Sequence, residues 1–247
     1  CIQDAVPLTL GQEFGGYYGL IKRRRAHLEE LQKKCLSLPL GGTAVGTELS
    51  TAAGYLEAVY PALSAILGAT VVPEEDFFDG LQNGDIYIEI SCGLKALATG
   101  LSKIATDLRI LSSGPRAGFQ EIILPALQPG SSIMPGKINP VMPELMNQVC
   151  YQICGNDVAV TMAVEGGELD LNVWEPVIIK CLAESCILLT NSIPLFVDKC
   201  ISGIMANGEL CRAYSERSTA LSTVIATLFG YPTGSKVAKM ADKENRT

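Results

Sequence analysis

Leu94, Leu97, Leu101, Ile104, Leu108 and Leu111 recur at alternating spacings of three and four residues. That spacing lays one apolar stripe along a helix, so it predicts a long helix over 84–112 with a seam for packing. Gly114-Pro115 closes the helix, because proline disfavours helical geometry at the residue before it. Thr9 and Gln12 form a capping-box pattern at the head of a segment running to about Leu36. Helix resumes near Val141, runs to about Met162, breaks at Gly166-Gly167 and resumes over 172–203. Pro176 suits a first turn, whereas Pro194 is expected to kink or interrupt its helix. Ile86 to Ile90 alternates like a strand and is assigned to a helix start. The pattern is all-α, an elongated bundle of long helices, with a boundary expected at Asn207-Gly208.

Composition narrows the function classes. The 247 residues are 48% hydrophobic, enough for a sizeable core, and carry a net charge of −7. A nucleic-acid binder presents a basic face, so nucleic acid is not an expected partner. No run of about 18 uninterrupted apolar residues occurs, so no membrane span is expected. Nine cysteines, odd in number, show no metal-binding cadence; Cys150 and Cys154 are the nearest thing to a motif. They read as buried free thiols of a reducing, cytoplasmic protein, with neither metal nor cofactor expected. The single histidine, His27, lies in KRRRAHLEE and reads as part of a solvated helix face. The chain opens at Cys1 with no signal-like segment and is expected to be part of a longer polypeptide.

Residues 113–140 form a long Gly- and Pro-rich connection, and long connections are often functional. It ends in GSSIMPGKINP, residues 130–140, which sets two hydroxyls, an ammonium and a carboxamide before a helix. A helix N-terminus offers unpaired N–H groups to an anion, and Lys137 with Asn139 suits a carboxylate. A Walker loop fails, because five residues precede Gly-Lys and Ile138 follows it. A surface loop with incidental polar groups remains the alternative reading of these residues.

The whole string resembles the GSSxMPxKxN signature of the fumarase/aspartase superfamily and matches every specified position. IQDA with Pro7 to Glu13, GGTAVGT at 41–47 and DLRILSSGPRAG at 107–118 are similar to further blocks of that family. The flanks NPVMPELMNQVCYQICGND and LNVWEPVI resemble its aspartase branch, whereas fumarases tend to have NPTQCE and a lysine in place of Glu175. The resemblance implies reversible elimination of ammonia from L-aspartate to give fumarate. The alternatives it leaves are fumarate hydratase, another lyase of the superfamily, or a noncatalytic structural protein on the same fold. It also implies a homotetramer with sites shared between subunits, for which the 94–111 seam is the expected surface. Residues 1–207 would be the central bundle domain, with catalytic loop 129–140, and 208–247 the start of a smaller helical domain. The substrate-amine contacts would lie upstream, so the chain alone is expected to be catalytically silent.

The same resemblance assigns roles. Ser131 is the general base, acting as an oxyanion, and Lys137 and Asn139 hold the carboxylate of the dicarboxylate substrate. Ser132 is either a second anchor or a backbone cap. Glu144 stands where the family's glutamate often pairs with a histidine, but that histidine is Cys1 here, so the relay cannot operate as in fumarases. Gln3 and Asp4 read as capping residues. Arg116 reads equally as a carboxylate clamp or as an anchor of the long loop. Glu48 replaces a common glycine, with no account from sequence. Trp174, Tyr17 and Tyr18 are expected to pack in the bundle.

Overall fold

The computed structural model describes residues 3–131, 133–244 and 246. Cys1 and Ser132 lie outside the described residues. The long helices are α1 (Leu10–Lys34), α4 (Asp85–Leu111), α5 (Val141–Glu165) and α6 (Glu175–Lys199). Shorter ones are α2 (Tyr55–Leu67), α3 (Phe77–Gln82), α7 (Gly208–Arg217), α8 (Ser222–Phe229) and α9 (Tyr231–Glu244). The two-residue strands β1 (Ser37–Leu38), β2 (Val72–Pro73), β3 (Ile122–Ile123) and β4 (Met205–Ala206) only staple loops. The fold is all-α, as the periodicity requires.

The capping box forms as written: Gln12 N–H donates to Thr9 Oγ1 at 3.2 Å and Thr9 N–H to Gln12 Oε1 at 2.9 Å. Two orphan donors at the head of α1 are thereby satisfied. Pro194 departs from expectation, since α6 runs through it without interruption. A single lost N–H is tolerated where the rest of a helix is held by packing, and Leu189 and Phe196 on either side are buried. By length and composition α6 with the following turn, Glu175–Gly203, is apolar enough to cross a membrane, at a mean hydropathy of 1.4. Its buried Ser185 and its Lys180–Glu184 ion pair at 3.0 Å are features of a bundle helix.

The chain divides into two compact units. One comprises residues 19–105 and 144–196. Leu94, Leu97, Leu101 and Ile104 are buried there within the chain itself, each contributing roughly 1.5–3 kcal/mol. That part of the seam is therefore spent inside the subunit and is not the tetramer surface expected from sequence. Polar groups fix the helix register. Asn147 Nδ2 donates to the carbonyl and to Oγ of Ser102, both at 2.9 Å, and Asp157 accepts from Ser91 Oγ at 2.7 Å and from Lys95 Nζ at 2.5 Å. Asn156 Nδ2 donates to Ser185 Oγ at 3.1 Å, tying α5 to α6.

The other unit comprises residues 1–18, 106–143 and 197–247. Its long connection is stapled by β3 and β4, antiparallel with Ile122 opposite Ala206. Asn207 extends the staple, its N–H donating to the Glu121 carbonyl at 2.9 Å and its Nδ2 to the Gln120 carbonyl at 3.1 Å. α8 and α9 form a hairpin at Gly230, whose φ of +88° favours glycine.

Three side-chain expectations differ. The eight described cysteines are free, but only Cys150, Cys181 and Cys200 are buried, while Cys35, Cys92 and Cys186 are exposed. Tyr18 and Trp174 are exposed rather than packed. Tyr17 does pack, donating to Asp107 Oδ2 at 2.8 Å beside Glu13.

Candidate active site

Loop 129–140 belongs to the second of these units and is closed on itself. Ser131 N–H donates to the Lys137 carbonyl at 2.9 Å, and Lys137 N–H to the Met134 carbonyl at 3.2 Å. Gly130 at φ +116° and Gly136 at +81° occupy backbone regions that other residues enter at a cost. These glycines let the chain fold back so that residues 131 and 137 meet.

The closure places Ser131 Oγ under two donors. Ile133 N–H and Met134 N–H both point to it at 3.2 Å. In an ordinary serine turn these bonds only satisfy the backbone. On an ionised oxygen the same two donors become charge-assisted and stabilise the anion. Ser131 is half-buried, so it remains reachable.

Lys137 is exposed and has no ion-pair partner among the described residues, so its ammonium is available to an anion. Asn139 is half-buried, and its carbonyl accepts Val141 N–H at 2.9 Å where α5 begins. The loop thus runs directly into a helix N-terminus, with Pro143 in the first turn, where its missing N–H costs nothing. Glu144 also lies in that turn, half-exposed. Arg116 is exposed on the preceding loop. That loop is anchored by Ser113 instead: its carbonyl accepts Gln120 N–H at 3.0 Å and its Oγ accepts Phe119 N–H at 3.1 Å. Ser113 is the residue that sequence reasoning missed, its only signal being its place after the helix end at Ser112. No group of three metal-ligating side chains occurs among the described residues.

Residues 1–155, this loop and the start of α5 included, match the family model described as lyase. The chain belongs to this lyase family. It is similar to aspartate ammonia-lyase of Escherichia coli (strain K12), 44% identical over 246 residues, covering 100% of this chain and 52% of that protein. The aspartate ammonia-lyase of a Bacillus species is 45% identical over 240 residues, covering 97% of this chain and 51% of its own length. Class II fumarase from Schistosoma mansoni superposes with a TM-score of 0.96 at 35% identity, over 99% of this chain and 54% of that one. The cobalt-bound fumarate lyase:delta crystallin structure from Brucella melitensis gives a TM-score of 0.93 at 44% identity, over 100% of this chain and 54% of that one. The chain spans about half the length of the curated relatives it matches. Its fold is that of the fumarase/aspartase superfamily.

Proposed function

We propose that the chain supplies the proton-abstracting loop of an aspartate ammonia-lyase, which eliminates ammonia from L-aspartate reversibly to give fumarate. The observation that carries this reading is Ser131 Oγ beneath two backbone N–H groups. The hydrogen to be removed is weakly acidic, and its removal leaves a dianionic aci-carboxylate. The base must be strong and the developing charge must be met by fixed donors. Two charge-assisted hydrogen bonds together stabilise a serine alkoxide by roughly 3–6 kcal/mol. Lys137 and Asn139 then bind the carboxylate beside the reacting carbon, with Ser132 as a further anchor or cap. Glu144, Arg116 and Cys1 are placed near the site by this reading, without a direct role in proton removal.

The same reading includes a homotetramer with shared sites, in a reducing cytoplasm. Apolar side chains left exposed on α5 and α6, including Tyr151, Met162, Ile179 and Ile187, supply surface for such an assembly. The free thiols suit that compartment. Fumarate hydration is the second reading, favoured by the likeness to class II fumarase. Glu175, where fumarases tend to carry lysine, favours the ammonia-lyase.

The test mixes this chain with the Escherichia coli relative carrying alanine at its own signature-loop serine, so that turnover requires Ser131. Fumarate absorbance is followed with L-aspartate and with L-malate. Fumarate from aspartate alone is expected; fumarate from malate alone would install the second reading.

A further inference from the structure

The antiparallel staple of β3 and β4 sets Ile122 opposite Ala206 and Ile123 opposite Met205. Carried two residues further, the same register brings Pro125 opposite Gly203. Pro125 has no N–H to give, so the ladder of hydrogen bonds ends before it. Close packing takes its place. A methyl group built on Gly203 would stand 2.5 Å from Pro125 Cγ, against the roughly 3.5–4.0 Å at which carbon atoms pack. A proline ring cannot swing aside as a flexible side chain would, so only glycine fits opposite it. The turn that carries Gly203 is itself held: Gly203 N–H donates to the Cys200 carbonyl at 3.2 Å and Ile204 N–H to the Ile201 carbonyl at 3.3 Å.

What this seat carries is the stem of loop 129–140. Pro125 and Leu127 on the outgoing stem, and Pro140 and Pro143 on the returning one, surround Cys200 with only about 10 Å³ left open between them. Cys200 is 2% exposed and Pro143 is fully buried, so the platform beneath the loop is close-packed and resists displacement. The two stems stand side by side, the form of a compact loop whose ends meet. At the far end the bond from Ser131 N–H to the Lys137 carbonyl closes the tip into one piece. A tip closed in this way moves with its stem, so a shift at Pro125 reaches Ser131 and Lys137 together.

We propose that Gly203 is a positioning residue for the elimination, a role that rests on the loop being the proton-abstracting element. Its missing side chain seats Pro125, and the seat sets where Ser131 Oγ stands. Gly203 acts only through Pro125 and touches neither base nor substrate. The two groups on the tip answer unequally to displacement. A proton passes only between atoms within hydrogen-bond reach, and misplacement by about 1 Å costs on the order of 100-fold in rate. The attraction of the Lys137 ammonium for a carboxylate falls only as the inverse of distance, so affinity changes far less.

The experiment uses the mixed assembly in which only this chain carries the signature-loop serine, with Gly203→Ala, Pro125→Ala and the two together. The kcat for fumarate from L-aspartate, succinate affinity and hydrogen exchange over residues 131–137 are measured for each. Gly203→Ala should lower kcat about 100-fold, and Pro125→Ala, which loosens the seat without a clash, about ten-fold, with succinate affinity kept within about three-fold in both. The double variant lacks the ring that the new methyl would strike, so its kcat should match that of Pro125→Ala. Exchange over 131–137 should quicken in step with each loss of kcat. Losses that multiply in the double variant, an affinity that falls as far as kcat, or an unchanged kcat in Gly203→Ala would overturn the proposal. Should Gly203→Ala alone not fold, the double variant decides: activity equal to that of Pro125→Ala supports the seat, and failure to fold overturns it. Fumarate absent already from the unaltered chain would instead overturn the loop's chemistry. Exchange alone would then decide the seat, with unchanged exchange in Gly203→Ala counting against it.

Discussion

Ser131 and Lys137 are joined by one backbone hydrogen bond, from the Ser131 N–H to the Lys137 carbonyl at 2.9 Å. The bond draws the candidate base and the candidate counter-charge onto one closed loop, so that a dicarboxylate engaging Lys137 tightens the turn that holds Ser131. Hydrogen exchange over residues 131–137 should therefore slow when succinate is added. Unchanged exchange at saturating succinate would separate the loop from the ligand.

Glu48 at φ +58° occupies a left-handed backbone position that glycine enters freely. Glu48→Gly should stabilise the chain by about 0.5–1 kcal/mol, raising Tm by roughly 1–4 °C in thermal unfolding. A lower Tm would mean that the glutamate side chain makes a compensating contact.

Asn147 is 2% exposed and gives its amide to two acceptors on Ser102. Asn147→Ala should cost about 1–3 kcal/mol by denaturant titration, since it leaves the half-buried Ser102 hydroxyl and carbonyl short of a donor. An effect within 0.5 kcal/mol, the range of about an ordinary surface substitution, would show that water replaces the amide.

Burial pushes the Cys150 thiol up to about 12 and Cys200 to about 11, against an ordinary value of 9.0. Both thiols stay neutral in the fold at a pH where the unfolded chain has already lost their protons. Their contribution is fully present below 9.0 and falls as pH rises through the folded values. Stability measured from pH 8 to about 11 should decline, and Cys150→Ala should flatten that decline while lowering stability at neutral pH. An identical slope in the variant would place the alkaline transition elsewhere.

The helices were legible where burial follows a helical period. Leu94 to Leu108 announced α4, and the Thr9–Gln12 pair marked the head of α1 to the residue. α2 was not, because Pro61 interrupts its pattern and its ends are left-handed glycines, Gly54 and Gly68, without a side-chain cap. Pro194 misled in the opposite direction, since one missing N–H does not break a helix buried on both sides of it. The seam misled about assembly, because periodicity marks a buried face without saying whether the same chain covers it. At the candidate site, sequence supplied Ser131, Lys137 and Asn139 by type and resemblance. The two N–H groups over Ser131 depend on the backbone angles of Gly130 and Gly136, which no residue type fixes alone.

The most direct measurement uses the mixed assembly in which only this chain carries the signature-loop serine. Fumarate formation from L-aspartate and succinate affinity are compared for the unaltered chain, Ser131→Ala and Lys137→Ala. Ser131→Ala should lower turnover by about three orders of magnitude or more while leaving succinate affinity within a few-fold, whereas Lys137→Ala should weaken both. Undiminished turnover in Ser131→Ala would contradict the account, because the base would then lie elsewhere.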